Sequence, residues 1–211
     1  MLDFKGAIFD LDGTLIDSMG VWETIDIKFL EDRNISMPED YINEVNTMSF
    51  KEVARYTIER FELNDTEESL IKQWNEMAIQ EYSYNIKLKS NVREYLEKLK
   101  SNNIKIGLAT ASPKELYEPV LKNNRVYKYF DAFVSLEDVK RDKSYPDIYL
   151  LTAKRLGLNP QDCAAFEDIL VAIRTLKKTK FKVIGVYDEY ASHDVEKIKE
   201  ELSAAVLKEL D

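Results

Sequence analysis

The feature that most constrains this chain is a series of short apolar runs separated by stretches of helical periodicity. The first run, Phe4 to Phe9 (FKGAIF), ends in Asp10. Others lie at Ile104 to Ala109 (IKIGLA), Ala132 to Val134, Cys163 to Phe166 (CAAF) and Lys182 to Val186 (KVIGV). Runs of this length suit buried strands rather than helices. Between them apolar residues return at helical spacing: Val92, Tyr95, Leu96 and Leu99, then Leu116, Val120 and Leu121, then Ile148, Leu151 and Leu156, then the stretch after Asp168. Strands alternating with helices imply an α/β fold, a parallel sheet covered on both faces.

One stretch breaks the alternation. From Ser18 to about Leu88 the pattern is helical throughout, with no strand run. Ser18 is expected to cap a helix running to Asp32, and Pro38 to sit in the first turn of a second. Ser49 with Glu52 reads as a capping box for a helix through Phe61, and Asp65 or Thr66 opens a fourth reaching about Tyr82. The expected division is a core of residues 1–17 and 89–211 and an all-helical insertion over 18–88. The joints are short, at 15–19 and 86–91. Trp22 and Trp74 fall on the inserted helices and are expected to pack in their core. Met19, Trp22 and Phe50 are the best candidates in the insertion to line a substrate.

Composition narrows the class. The chain has 211 residues, 45% hydrophobic and 33% charged, which suits a globular protein with solvated helix faces such as Glu196 to Glu201. A net charge of -9 repels nucleic acid and anionic membranes at long range. An anionic substrate would therefore need local positive charge, from a metal or a placed lysine. The single cysteine, Cys163, excludes an internal disulfide, suits a reducing compartment and reads as a core residue. No run approaches 18 apolar residues, and the N-terminus does not read as a signal peptide. A soluble, cytoplasmic monomer is expected, with no nucleic-acid or membrane partner. The only histidine, His193, opens the C-terminal helical region and is not expected to be catalytic.

Ligands bind outside the carboxyl ends of parallel strands. After the first strand comes Asp10-Leu-Asp-Gly-Thr-Leu-Ile-Asp17-Ser18, and after the second Thr110-Ala111-Ser112. The loop after the third carries Arg141-Asp142-Lys143-Ser144-Tyr145-Pro146-Asp147, and the fourth ends in Glu167-Asp168. Carboxylates, a hydroxyl and an ammonium thus converge from four strand ends.

FDLDGTLIDS resembles the first signature of the haloacid dehalogenase superfamily, in the branch of phosphatases and of mutases like beta-phosphoglucomutase. Thr110 fits the second signature, Lys143 the third and Glu167-Asp168 the fourth, in the right order and over essentially the whole chain. The resemblance implies an α/β architecture, a Rossmann-like parallel-sheet core with an inserted all-helical cap domain. It implies Asp10 as nucleophile toward a small phosphorylated metabolite and Asp12 as general acid and base. It further implies Mg2+ held by the Asp10 carboxylate, the Asp12 main-chain carbonyl and the Asp168 carboxylate, with Glu167 behind them. Phosphate oxygens would be held by Thr110, the Ala111 amide and Lys143. Asp12 favours phosphoryl transfer over dehalogenation, because a halide leaves without a proton.

The sequence also departs from the family. Ser144 stands where the third signature has its first proline, which puts the rigidity of that loop in question. Ile169 and Ala172 replace a serine and a glycine of the fourth, so metal binding is expected to weaken. Lys180 replaces a glycine that ends a helix, at a cost of about 1 kcal/mol if it takes a left-handed conformation. The leading expectation is a magnesium-dependent phosphatase working through a phosphoaspartate. A sugar phosphomutase is the alternative, and a non-catalytic phosphate-binding module a third reading. In the family's hexose phosphate mutase a histidine stands where this chain has Trp22, and an arginine where it has Phe50 after Ser49.

Overall fold

A computed structural model describes residues 3–45, 48, 50–188 and 194–202. Ser49 and His193 lie outside the described residues. Five strands form one sheet: β1 (Gly6–Phe9), β2 (Lys105–Thr110), β3 (Ala132–Ser135), β4 (Cys163–Glu167) and β5 (Lys182–Gly185). Their order is β3-β2-β1-β4-β5 and every pair is parallel. Each expected strand is present, its ends shifted by no more than two residues. The helices are α1 (Val21–Glu31), α2 (Tyr41–Val45), α3 (Phe50–Arg60), α4 (Glu67–Gln80), α5 (Val92–Ser101), α6 (Lys114–Asn123), α7 (Asp147–Leu156), α8 (Leu170–Lys177) and α9 (Val195–Leu202).

β1 is the central strand. Ala7, Ile8 and Phe9 are fully buried, which is why the strand reads as an unbroken apolar run rather than an alternating one. Successive side chains point to opposite faces. Ile8 and Ala165 share a core with Tyr149 and Ala153 of α7 and Ala172 and Leu176 of α8. Phe9 stacks on Phe166 at 4.3 Å on the other face, where Tyr95 of α5 meets both rings. Helices therefore cover both faces. α7 approaches β2 closely at Gly107, where a Cβ would lie 2.5 Å from the Thr152 methyl. Cys163 is buried in β4, as expected.

By its contacts the chain divides into two compact units, Met1–Met19 with Ile86–Asp211, and Gly20–Asn85. Among its described residues the second consists of helices joined by turns and loops, with no strand. Thr66 opens α4 by accepting the Ser69 amide at 3.2 Å. Trp74 is buried against Phe29 and Phe50, at 5.6 and 5.4 Å. Three expectations need correction here. Gly20 stands at the start of α1 with no side-chain cap, and Ser18 bonds elsewhere. Pro38 precedes α2 instead of entering it, its carbonyl accepting the Tyr41 amide at 3.1 Å. Trp22 is 40% exposed, because the buried stripe of α1 is Val21, Ile25, Phe29 and Leu30, and Trp22 falls beside it. It makes an edge contact with Phe50 at 5.3 Å.

The segments on either side of the helical unit bond to one another. Asp17 donates its amide to the Lys87 carbonyl and Lys89 to that of Leu15, both at 3.0 Å, so the two form a short ribbon. Lys180 is not among the residues with positive φ, and α8 ends on a right-handed Lys178, so the anticipated strain does not arise. Among the described residues no helix is long and apolar enough to cross a membrane.

Candidate active site

The site grows from the junction of β1 and β4. Phe9 pairs with Phe166, and the Asp10 amide donates to the Phe166 carbonyl at 3.1 Å. Asp10 is thereby level with Glu167 and Asp168 across the point where the strand order reverses, the place where open α/β sheets leave a crevice. The end of β2 adds Thr110 and Ala111, and the loop after β3 brings in Lys143.

Lys143 is the buried cation of the cluster. Its ammonium donates to Asp10 Oδ1 and, at 2.7 Å, to Glu167 Oε1, which also accepts the Tyr149 hydroxyl. Carboxylate oxygens of Asp10, Glu167 and Asp168 lie within 4.8 Å of one another. Three carboxylates thus face one ammonium. Burial pushes the Asp10 carboxyl well above its ordinary range. Lys143 opposes the rise, and Glu167, Asp168 and Asp12 add to it. Burial and then Glu167 raise Asp168 to about 7. Burial also works against the Lys143 charge, but Asp10 and Glu167 outweigh it and hold the ammonium protonated.

These residues fit a hard divalent cation. Every donor is an oxygen, and Glu167 Oε2 is buried without a hydrogen-bond partner. Gly13 turns the loop at φ +78°, and a Cβ there would lie 2.9 Å from the Asp168 carboxyl carbon. Only glycine lets this backbone lie against that carboxylate. The Thr14 hydroxyl donates to Asp168 Oδ1 at 2.8 Å and orients it.

Asp12 is held at both oxygens. Ser18 donates to Oδ1 and Ser112 to Oδ2, each at 2.7 Å. Thr110 is fully buried, and its hydroxyl accepts the Ser112 amide at 2.9 Å, bending the chain as it leaves β2. Asp10, Asp12, Thr110, Ala111, Lys143, Glu167 and Asp168 therefore all belong to one end of the sheet. Sequence reasoning missed Thr14, Ser112 and Tyr149, and it misassigned Ser18. Where Ser144 replaces proline, the Asp142 carboxylate accepts the Ser144 amide at 2.9 Å, and Arg141 pairs with Asp147. These bonds restrain the loop that carries Lys143.

The model of the haloacid dehalogenase-like hydrolases matches residues 7–186. The chain belongs to that family. A phosphorylated carbohydrates phosphatase of Thermotoga maritima is 30% identical over 183 residues, covering 86% of this chain and 85% of that protein. A beta-phosphoglucomutase of Bacillus subtilis is also 30% identical, over 86% of this chain and 83% of its own length. Among solved structures, a Thermotoga maritima protein provisionally named a beta-phosphoglucomutase superposes with a TM-score of 0.84 at 28% identity. That match covers 98% of this chain and 94% of the other. The parallel sheet core and helical unit are thus those of haloacid dehalogenase-like hydrolases.

Proposed function

We propose that this haloacid dehalogenase-like hydrolase is a magnesium-dependent phosphatase of small phosphorylated carbohydrates, acting through a phosphoaspartate on Asp10. Its enzyme class is phosphoric monoester hydrolase. The observation that carries the reading is the buried Asp10 carboxylate paired with Lys143, beside an Asp12 carboxylate held at both oxygens.

The chain's own groups supply the chemistry. Asp10 attacks phosphorus and forms a new O–P bond as the ester O–P bond breaks. Asp12 gives its proton to the leaving alkoxide, then takes one from the water that cleaves the acyl phosphate, releasing inorganic phosphate and regenerating Asp10. Ser18 and Ser112 fix the direction from which that proton comes and goes. Lys143 offsets the charge of Asp10 and the phosphate, while Thr110 and the Ala111 amide hold phosphate oxygens. The Asp10 and Asp168 carboxylates and the Asp12 carbonyl would hold Mg2+, with Glu167 alongside; when bound, the ion neutralises charge and polarises a phosphoryl oxygen. The helical unit corresponds to the cap of this family.

The mutase reading is favoured by its relative, which shares the phosphatase's 30% identity with this chain. Against it stand the aromatics Trp22 and Phe50 at the positions of the mutase histidine and arginine. Lys51, the neighbouring cation, already faces Glu67 at 3.6 Å. Phosphorus NMR of a hexose 1-phosphate incubated with the enzyme and Mg2+ separates the two. Free phosphate, with no need for a bisphosphate activator, is the expected product. Faster accumulation of the 6-phosphate isomer would establish the mutase.

A further inference from the structure

The return segment after the helical unit carries a lysine that the scheme above does not use. Lys89 reaches the loop of the first signature with all three of its N–H donors engaged. It donates to the Gly13 carbonyl at 2.6 Å, the Tyr187 carbonyl at 2.7 Å and Asp188 Oδ2 at 2.9 Å. Its side chain is largely buried, and Asp188 is 4% exposed. Three segments distant in sequence therefore meet on one ammonium: the Gly13 turn, the ribbon at residues 87–89 and the chain leaving β5.

The Gly13 peptide has a particular need of such a bond. Asp168 lies where a Cβ at residue 13 would go, so only glycine fits, and glycine leaves the peptide on either side free to rotate. The residues flanking it carry the site: the Asp12 carboxylate precedes it, and the Thr14 hydroxyl that orients Asp168 follows it. A charge-assisted bond to the Gly13 carbonyl removes the freedom that the glycine leaves.

We propose that Lys89 is a positioning residue for the metal site, pinning the Gly13 peptide so that the Asp12 carbonyl and the Thr14 hydroxyl meet Asp168 in register. This rests on the assignment of Asp10, Asp12 and Asp168 as Mg2+ ligands.

A purely structural role, compensation of buried Asp188, predicts a different pattern, so full-length Lys89→Met, Asp188→Asn and the double variant are compared. Mg2+ binding is read by calorimetry with the metal alone, and folding by thermal unfolding in chelator. Lys89→Met should lower both the Tm and the Mg2+ affinity, the latter by about tenfold or more, as loss of an outer-shell partner does. The double variant should recover Tm relative to Lys89→Met, because the buried carboxylate that faced the lost ammonium is neutralised as well, yet keep the weakened Mg2+ binding relative to Asp188→Asn alone. Recovery of Mg2+ affinity together with the Tm, or unchanged affinity in Lys89→Met, would overturn the proposal. Wild-type protein that binds no Mg2+ would remove the metal assignment and this inference with it.

Discussion

The Lys143 ammonium is shared between two buried carboxylates, Asp10 at the end of β1 and Glu167 at the end of β4. Removing a partner from a buried charge cluster costs about 3–5 kcal/mol, because the charges left behind stay out of water. Losing one preorganised hydrogen-bond donor aimed at developing negative charge costs about a hundredfold to a thousandfold in kcat. Lys143→Met is therefore expected to lose both stability and turnover, measured by urea unfolding and by hydrolysis of a generic phosphate ester. Near wild-type turnover would remove Lys143 from the site's chemistry.

Ser112 tests the orientation of Asp12. Ser112→Ala removes the donor on Oδ2 but leaves Ser18 on Oδ1. A net loss of about 1 kcal/mol for a hydrogen bond, felt mainly at proton transfer, corresponds to a fall of several-fold in kcat. KM should be little changed. A rise in KM with kcat intact would place Ser112 in substrate binding instead.

Gly13→Ala introduces two separate penalties. A left-handed non-glycine residue costs about 1–2 kcal/mol. The added methyl also collides with the Asp168 carboxylate. The expected result is a lower Tm together with weaker Mg2+ binding by calorimetry. Unchanged metal affinity would separate Gly13 from the metal site.

Much of this arrangement was legible in the sequence, for identifiable reasons. The strands were visible because central parallel strands are buried on both faces and leave unbroken apolar runs, as in β1. Asp10 and Asp168 were visible because each follows a strand end at once, whereas Lys143, eight residues beyond β3, was legible only through the family's third signature. Ser112, Tyr149 and Lys89 were not, because their partners Asp12, Glu167 and Gly13 are remote in sequence and no periodicity reports a single long-range bond. Ser18 misled because a serine before a helix usually caps it, whereas here its hydroxyl serves Asp12. Trp22 misled because one step around α1 from Val21 carries it off the buried stripe.

Asp26 of α1 provides a pH test within the helical unit. Burial and then Glu23 raise its carboxyl to about 7, from an ordinary value of 3.8. The folded form thus binds this proton more tightly than the unfolded chain. The contribution to stability is complete below the unfolded pKa and is lost as pH rises through 7. Asp26→Asn should raise the Tm at pH 8 relative to wild type and gain less at pH 5. Equal differences at both pH values would show that Asp26 does not titrate in this window.

The claim that phosphate passes through Asp10 is tested most directly by Asp10→Asn. The amide is close to the carboxylate in size but a poor nucleophile. Phosphate release from a sugar phosphate should disappear, while circular dichroism matches the wild type. A folded variant whose turnover stays within about tenfold of wild type would contradict the covalent role of Asp10.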